Sequence, residues 1–314
     1  MNLQTKIPLK KQSKNQIDYN SNVLLFGSCF SENIGKKLDY FKFQNLQNPF
    51  GILFHPKAIE TLMSNAVGNK IYSDGDVFLN NEQWHCYDAH SKLSNTSKNY
   101  LINQLNEQID LTSSKLKRAS HIIITLGTAW VYRDIKTDSI VANCHKVPQK
   151  LFKKELLSVQ EITNSLKNIL SLIRSVNNDV LVVFTVSPIR HTKDGFVQNT
   201  QSKAHLITAI HQVINNKSFY FPSFEIMMDE LRDYRFYNED MIHPNQVAIN
   251  YIWDKFKTVW ISDESFKVME EVDTIQKGLK HKPFNLKSQA HQKFLQNLEA
   301  KKNQIHSHFP HIVF

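Results

Sequence analysis

Val23-Leu24-Leu25-Phe26-Gly27-Ser28-Cys29-Phe30-Ser31-Glu32-Asn33-Ile34-Gly35 decides how this chain is read. Four consecutive apolar residues describe a short strand buried on both faces. A glycine follows, then three small or nucleophilic side chains, then a helical stretch from Glu32 to Tyr40. A nucleophile therefore sits where a strand turns into a helix. Free N–H groups at a helix N-terminus favour negative charge and stabilise a thiolate or an oxyanion. The same residues also describe an ordinary turn in which the serines cap the helix and the cysteine packs.

A second stretch bears on that choice. Asp240-Met241-Ile242-His243-Pro244-Asn245 places an acid three residues before a histidine. The carboxylate can fold back onto one ring nitrogen and leave the other to act as a base. Pro244 is expected in the first turn of the following helix. An early strand-end nucleophile with a late acid and base on one loop is the order of a hydrolase.

Gly27-Ser28-Cys29-Phe30-Ser31 resembles the signature of the GSCFA family, which is similar to the wider SGNH, or GDSL-type, esterases and acyl hydrolases. Without gaps, Gly27 matches the glycine of the first SGNH block, Ser28 its aspartate, Cys29 its nucleophile and Phe30 its leucine, while Ser31 matches its hydroxyl residue. Asp240, His243 and Pro244 match the last block, Asp-x-x-His-Pro. The resemblance spans roughly residues 20–260. It implies a Cys29 nucleophile oriented toward His243 and Asp240, with Ser28 as the alternative nucleophile if the register shifts by one. It also implies that Gly51, in Asn48-Pro49-Phe50-Gly51, points its N–H into an oxyanion hole. Where the SGNH group carries an oxyanion-binding asparagine, after Gly127-Thr128, this chain has Ala129. Asn143, in Asn143-Cys144-His145-Lys146, is then the candidate to supply the missing amide. A turn asparagine is the other reading.

The remaining pattern alternates strands and helices. His121 to Leu126 and Val180 to Val186 are β-branched runs suited to the middle of a parallel sheet. Helices are expected over Lys57–Ala66, Lys98–Lys117, Gln160–Arg174, Ser202–Asn215 and from Pro244 to Trp260, with a hairpin from Trp130 to Asn143. The expected fold is therefore a three-layer α/β/α sandwich with a mostly parallel sheet, SGNH-like in strand order by resemblance. It covers residues 1–262, followed by a helical C-terminal extension over 263–314. Ligands of such sheets bind beyond the strands' carboxyl ends. Arg190 and His191, after Ser187-Pro188, are therefore candidates for substrate contact, as is His90, in Tyr87-Asp88-Ala89-His90-Ser91.

Composition narrows the class. The 314 residues are 41% hydrophobic and 21% charged, as in soluble globular proteins, with no apolar run long enough to span a membrane. Met1 to Asn20 has no apolar core of a signal peptide, and three cysteines without disulfide-like spacing suit a reducing cytoplasm. The net charge of +9 is spread over dispersed lysines without a nucleic-acid-binding signature, so no nucleic-acid partner is expected. His85, His90, Cys144 and His145 raise a zinc question, but they lack tight ligand spacing, and neither metal nor cofactor is expected. The lysine- and glutamine-rich tail either packs on the domain or serves self-association into a homo-oligomer. The function expected is hydrolysis or transfer of an acyl ester, with a carbohydrate substrate implied by the resemblance. A non-catalytic binding module on the same fold is the alternative.

Overall fold

In the computed structural model, which describes residues 5–314, β1 (Asn22–Gly27) has five buried residues and runs directly into α1 (Cys29–Tyr40). The edge strand β2 (Gln44–Gln47) and α2 (Pro56–Val67) follow. A hairpin, β3 (Phe78–Asn80) and β4 (Gln83–His85), turns through Asn81 and Glu82. Both have positive φ, 47° and 61°, as a two-residue turn matched to strand twist requires. Beyond it lie α3 (Lys98–Arg118) and β5 (His121–Leu126), all six of whose residues are buried. A small antiparallel sheet of β6 (Trp130–Asp134), β7 (Ile140–Val141) and β8 (Phe152–Leu156) is inserted before α4 (Val159–Val176). Then come β9 (Leu181–Val186), α5 (Phe196–His211), β10 (Ser218–Tyr220) and the short α6 (Ser223–Glu225). Three long helices end the chain: α7 (Gln246–Trp260), α8 (Asp263–Lys280) and α9 (Gln289–His308).

The main sheet has the order β10-β9-β5-β1-β2, and every pair in it is parallel. Successive side chains of a strand point to opposite faces. Leu24, Phe26, Ile122, Ile124, Val182 and Phe184 pack on one side with residues of α2, α3, α4 and α5. Val23, Leu25, Ile123, Leu181 and Val183 pack on the other with residues of α1, α7, α8 and α9. These are the three layers. Val272 and Ile275 of α8 are fully buried in the second layer, and each such side chain contributes roughly 1.5–3 kcal/mol by leaving water. The tail therefore packs on the α/β domain, and its two helices lie close enough that a Cβ at Gly278 would meet Leu298 of α9 at 2.8 Å.

Topology points to the site. From β1 the chain moves outward to β2, and from β5 it moves outward the other way to β9. The adjacent carboxyl ends of β1 and β5 thus form the switch point where an open parallel sheet leaves a crevice.

The structure shifts some expected boundaries. Helix α1 begins at Cys29 rather than Glu32, and α5 at Phe196 rather than Ser202. Asn245 caps α7: its Oδ1 accepts the Val247 and Ala248 N–H groups. Pro244 lies ahead of that cap, bridged to Tyr237, which corrects its placement in the first turn.

Candidate active site

Gly27 closes β1 at φ 126°, and a Cβ there would run into the Thr125 carbonyl of β5. Only glycine fits this turn. The Ser28 N–H then donates to that same carbonyl at 3.0 Å. Ser28 is fully buried, and its Oγ caps α1 by accepting the Phe30 N–H at 3.2 Å. The Ser28 side chain is thus turned into the helix cap. Cys29, the first helical residue, is partly exposed.

The thiol of Cys29 is not depressed in the way a helix N-terminus leads one to expect. Burial pushes it up from its ordinary value, and the Glu32 carboxylate adds to this; its own backbone N–H, Lys203 and Lys92 pull it down without overcoming the burial. Glu32 is itself paired with Lys92 at 2.8 Å.

Asp240 and His243 meet as the sequence spacing suggests. Asp240 Oδ2 accepts the His243 Nδ1–H at 2.6 Å, and Oδ1 accepts the Ile242 and His243 backbone N–H groups at 2.9 Å each. Met241, at φ 56°, makes the reversal. The two backbone N–H groups and the imidazole hold the Asp240 carboxyl down to about 2. This leaves Nε2 as the free, basic nitrogen of His243.

Arg190 secures this loop from the end of β9. Its N–H donates to Ile242 O at 3.3 Å and its Nη1 to Met241 O at 3.2 Å, while Phe196, Tyr234 and Tyr237 surround the guanidinium at 5.3–5.7 Å. Arg190, Asp240, Met241 and the rings of Phe196 and Tyr234 line a cavity of about 470 Å³.

His191 points the other way. Its N–H donates to Asn199 Oδ1 at 2.9 Å, its ring meets Phe54 edge-on at 5.6 Å, and its Nε2 is buried without a partner among the described residues. A Cβ at Gly127 would stand 3.3 Å from that Nε2. Burial, with smaller contributions from the neighbouring Lys203 and His243, holds the imidazole down to about 3, so it is neutral near pH 7.

Three expected roles are changed. The Gly51 N–H donates to Asn48 O at 2.7 Å inside its own turn, so it does not point into an oxyanion hole. Glycine is needed there because φ is 71° and a Cβ would meet that of His90 at 2.5 Å. Asn143 Oδ1 accepts the His145 N–H at 2.8 Å, as a turn asparagine does, and its cavity, shared with Phe54, Thr128 and Trp130, is not lined by Cys29 or His243. His90 is a capping residue: its Nδ1 accepts the Lys92 N–H at 3.2 Å, and Phe54 packs beside it. Ala129 cannot replace the missing amide either, since its N–H donates to Ser202 Oγ at 2.7 Å.

The histidines of the zinc question face other partners. His145 Nε2 pairs with Cys86 O at 2.7 Å, and His85 uses its two nitrogens on Ser94 Oγ and Asn80 O. Among the described residues no three His, Cys, Asp or Glu side chains gather as a metal site.

Two residues of the site were not singled out from sequence. Asn48 Oδ1 accepts the Gly27 N–H at 2.9 Å, and its buried Nδ2 has no partner among the described residues. Lys203 of α5 is 1% exposed and donates to Gly127 O at 2.7 Å and Ser187 O at 2.8 Å, joining the ends of β5 and β9. The signal for Lys203 was the stripe Asn199, Lys203, Leu206 and Ile210, which helical spacing places on the buried face once α5 is started at Phe196.

Fold and side chains together define a doubly wound α/β protein with a cysteine after β1, a buried lysine joining the ends of β5 and β9, and a histidine–aspartate pair on the loop before α7. The profile of the GSCFA family matches residues 22–256, and this chain belongs to that family. A further profile, "GSCFA domain protein, C-terminal domain", matches residues 272–314. No curated protein is matched by the sequence. Among solved structures, the chain is similar to a carbohydrate esterase family 3 protein from Talaromyces cellulolyticus, at 10% identity and TM-score 0.37, covering 81% of this chain and 99% of that one. A mutant acetyl esterase with acetate ion gives 9% identity and TM-score 0.37, covering 80% and 99%. The acetyl xylan esterase Est2A from the rumen bacterium Butyrivibrio proteoclasticus gives 9% identity and TM-score 0.38, covering 88% and 66%. No helix among the described residues is long and apolar enough to cross a membrane.

Proposed function

We propose that this protein hydrolyses or transfers acyl esters with Cys29 as nucleophile, His243 as general base and Asp240 as its orienting acid. The observation that carries the reading is the 2.6 Å Asp240–His243 pair, which fixes the proton on Nδ1 and leaves Nε2 to accept one. His243 Nε2 takes the thiol proton as Sγ attacks the ester carbonyl. The tetrahedral oxyanion is held at the start of α1, where the Cys29 N–H lies beside its own sulfur. Collapse expels the alkoxide, which takes the proton back from His243 and leaves a thioester on Cys29. Water, or an acceptor hydroxyl deprotonated by His243, then releases the acyl group and restores the thiol. An O-acylated carbohydrate is the substrate class implied by the family resemblance.

A non-catalytic binding module has one observation in its favour: the Gly51 and Ala129 N–H groups are both spent inside the protein. Hydrolysis of p-nitrophenyl acetate and of acetylated oligosaccharides, each with and without chelator, separates the two. Turnover that survives chelation and disappears in Cys29→Ala is expected. Absence of turnover on the whole panel, with saturable binding of one ligand, would establish the module instead.

A further inference from the structure

Lys203 is a buried amine that the chemistry above leaves unused. It is 1% exposed, and among the described residues it has no carboxylate ion-pair partner. Its two acceptors, Gly127 O and Ser187 O, account for both hydrogens of a neutral amine. The third tetrahedral position of Nζ has no hydrogen-bond acceptor among the described residues, and the Phe224 ring is 5.7 Å from Nζ. Placing a full charge in such a site is strongly unfavourable without an opposite charge.

The opposite charge available is a thiolate. Gly127 O lies two residues beyond Thr125, whose carbonyl receives the Ser28 N–H, so the Lys203 amine is fixed at the strand end neighbouring Cys29. We propose that Lys203 is a positioning residue for Cys29, its ammonium serving as the buried counter-charge of the thiolate, so that the two groups ionise as a pair. This rests on Cys29 being the nucleophile of the proposed reaction. Lys203 neither accepts the thiol proton nor touches substrate; it changes how readily that proton leaves.

The other charges facing the pair are few. Cys29 has Glu32 on its own helix and Lys92 from the segment after β4, which partly cancel each other. Lys203 has neutral His191 from the loop after β9, with His243 beyond it. The end of β5 contributes Gly127 and Thr128, which carry no charge. Burial brings the Lys203 ammonium down to about 7, and a negative charge on Cys29 opposes that shift. Interaction between the two makes the titration a property of the pair.

The test is the iodoacetamide rate at Cys29 from pH 5 to 10 in the full chain, read by peptide mass spectrometry with Cys86 and Cys144 as internal references. In Lys203→Met the midpoint moves up by at least about one pH unit, a roughly tenfold slower reaction at pH 7. In Lys203→Arg, whose guanidinium keeps its charge throughout this range, the midpoint does not move up. An equal change of rate at every pH, with no shift of midpoint, would mean that Lys203 only pins two carbonyls, and would overturn the proposal. If Lys203→Met does not fold, the reciprocal measurement decides: in 13C-lysine-labelled protein Lys203 titrates at lower pH in Cys29→Ala than in wild type, and an unchanged midpoint overturns the pairing. Full acetyl-ester turnover in Cys29→Ala would instead remove the nucleophile assignment, a result the alkylation profile does not share.

Discussion

The side chain of Asn48, just past the end of β2, holds the backbone N–H of Gly27 at 2.9 Å and so fixes the turn that presents Cys29. Gly27 is locked by φ and by the Thr125 carbonyl, so it cannot turn its N–H elsewhere. In Asn48→Ala that buried N–H loses its acceptor, which costs about 1–3 kcal/mol. Urea unfolding should report a loss of this size. Asn48→Ala with wild-type stability would show that the contact does not form in solution.

Asp240→Asn separates geometry from chemistry. The amide oxygen can still accept the Ile242 and His243 N–H groups, so the loop and the melting temperature should be preserved. The carboxylate that opposes the charge forming on His243 is gone, and ester turnover should fall by roughly 10²–10⁴-fold. In the wild type Asp240 stays ionised down to about pH 2, so it should add no inflection to the pH–rate profile between pH 4 and pH 9. Turnover within threefold of wild type in Asp240→Asn would sink the pairing as a catalytic device.

Ser28 and Cys29 are adjacent yet should respond in opposite ways. Cys29→Ala should abolish turnover and leave stability nearly unchanged, since the side chain is small and partly exposed. Ser28→Ala should retain turnover and lose about 1 kcal/mol, the usual contribution of a helix cap. The reverse pattern, activity lost in Ser28→Ala and kept in Cys29→Ala, would exchange their roles.

What was legible in the sequence was local. Val23–Phe26, His121–Leu126 and Leu181–Val186 are apolar runs, and all became central strands of the sheet. Asp240 and His243 are three residues apart, and a single tight turn joins them. By contrast, β2 reads Gln-Asn-Leu-Gln and β8 reads Phe-Lys-Lys-Glu-Leu; both are edge strands whose exposed face leaves no apolar signature. Asn48 and Lys203 matter through partners 21 and 76 residues away, which spacing along the chain does not reveal. Gly51 does stand at a turn that requires glycine, but its N–H is taken by the Asn48 carbonyl inside that turn, a pairing the residue types alone do not display.

His55 makes the protein sensitive to acid independently of the active site. It is buried; its Nδ1 accepts the Ala58 N–H at 3.1 Å as the cap of α2, and its Nε2–H donates to Val141 O at 3.1 Å. Both nitrogens are thus committed to one neutral tautomer, and burial holds the imidazole down to about 4. A proton on Nδ1 would break the cap and charge the core. In the unfolded chain the ring titrates near its ordinary 6.5, so between pH 6.5 and 4 the unfolded state binds the extra proton. Stability from this group is therefore complete above pH ~6.5 and declines as pH falls toward the folded value, by roughly 3 kcal/mol in all. His55→Asn can still cap α2 but does not titrate. Its melting temperature should be lower than wild type at pH 7.5, with the gap narrowing toward pH 4.5. A gap that stays constant across that range would show that His55 takes up no proton on unfolding.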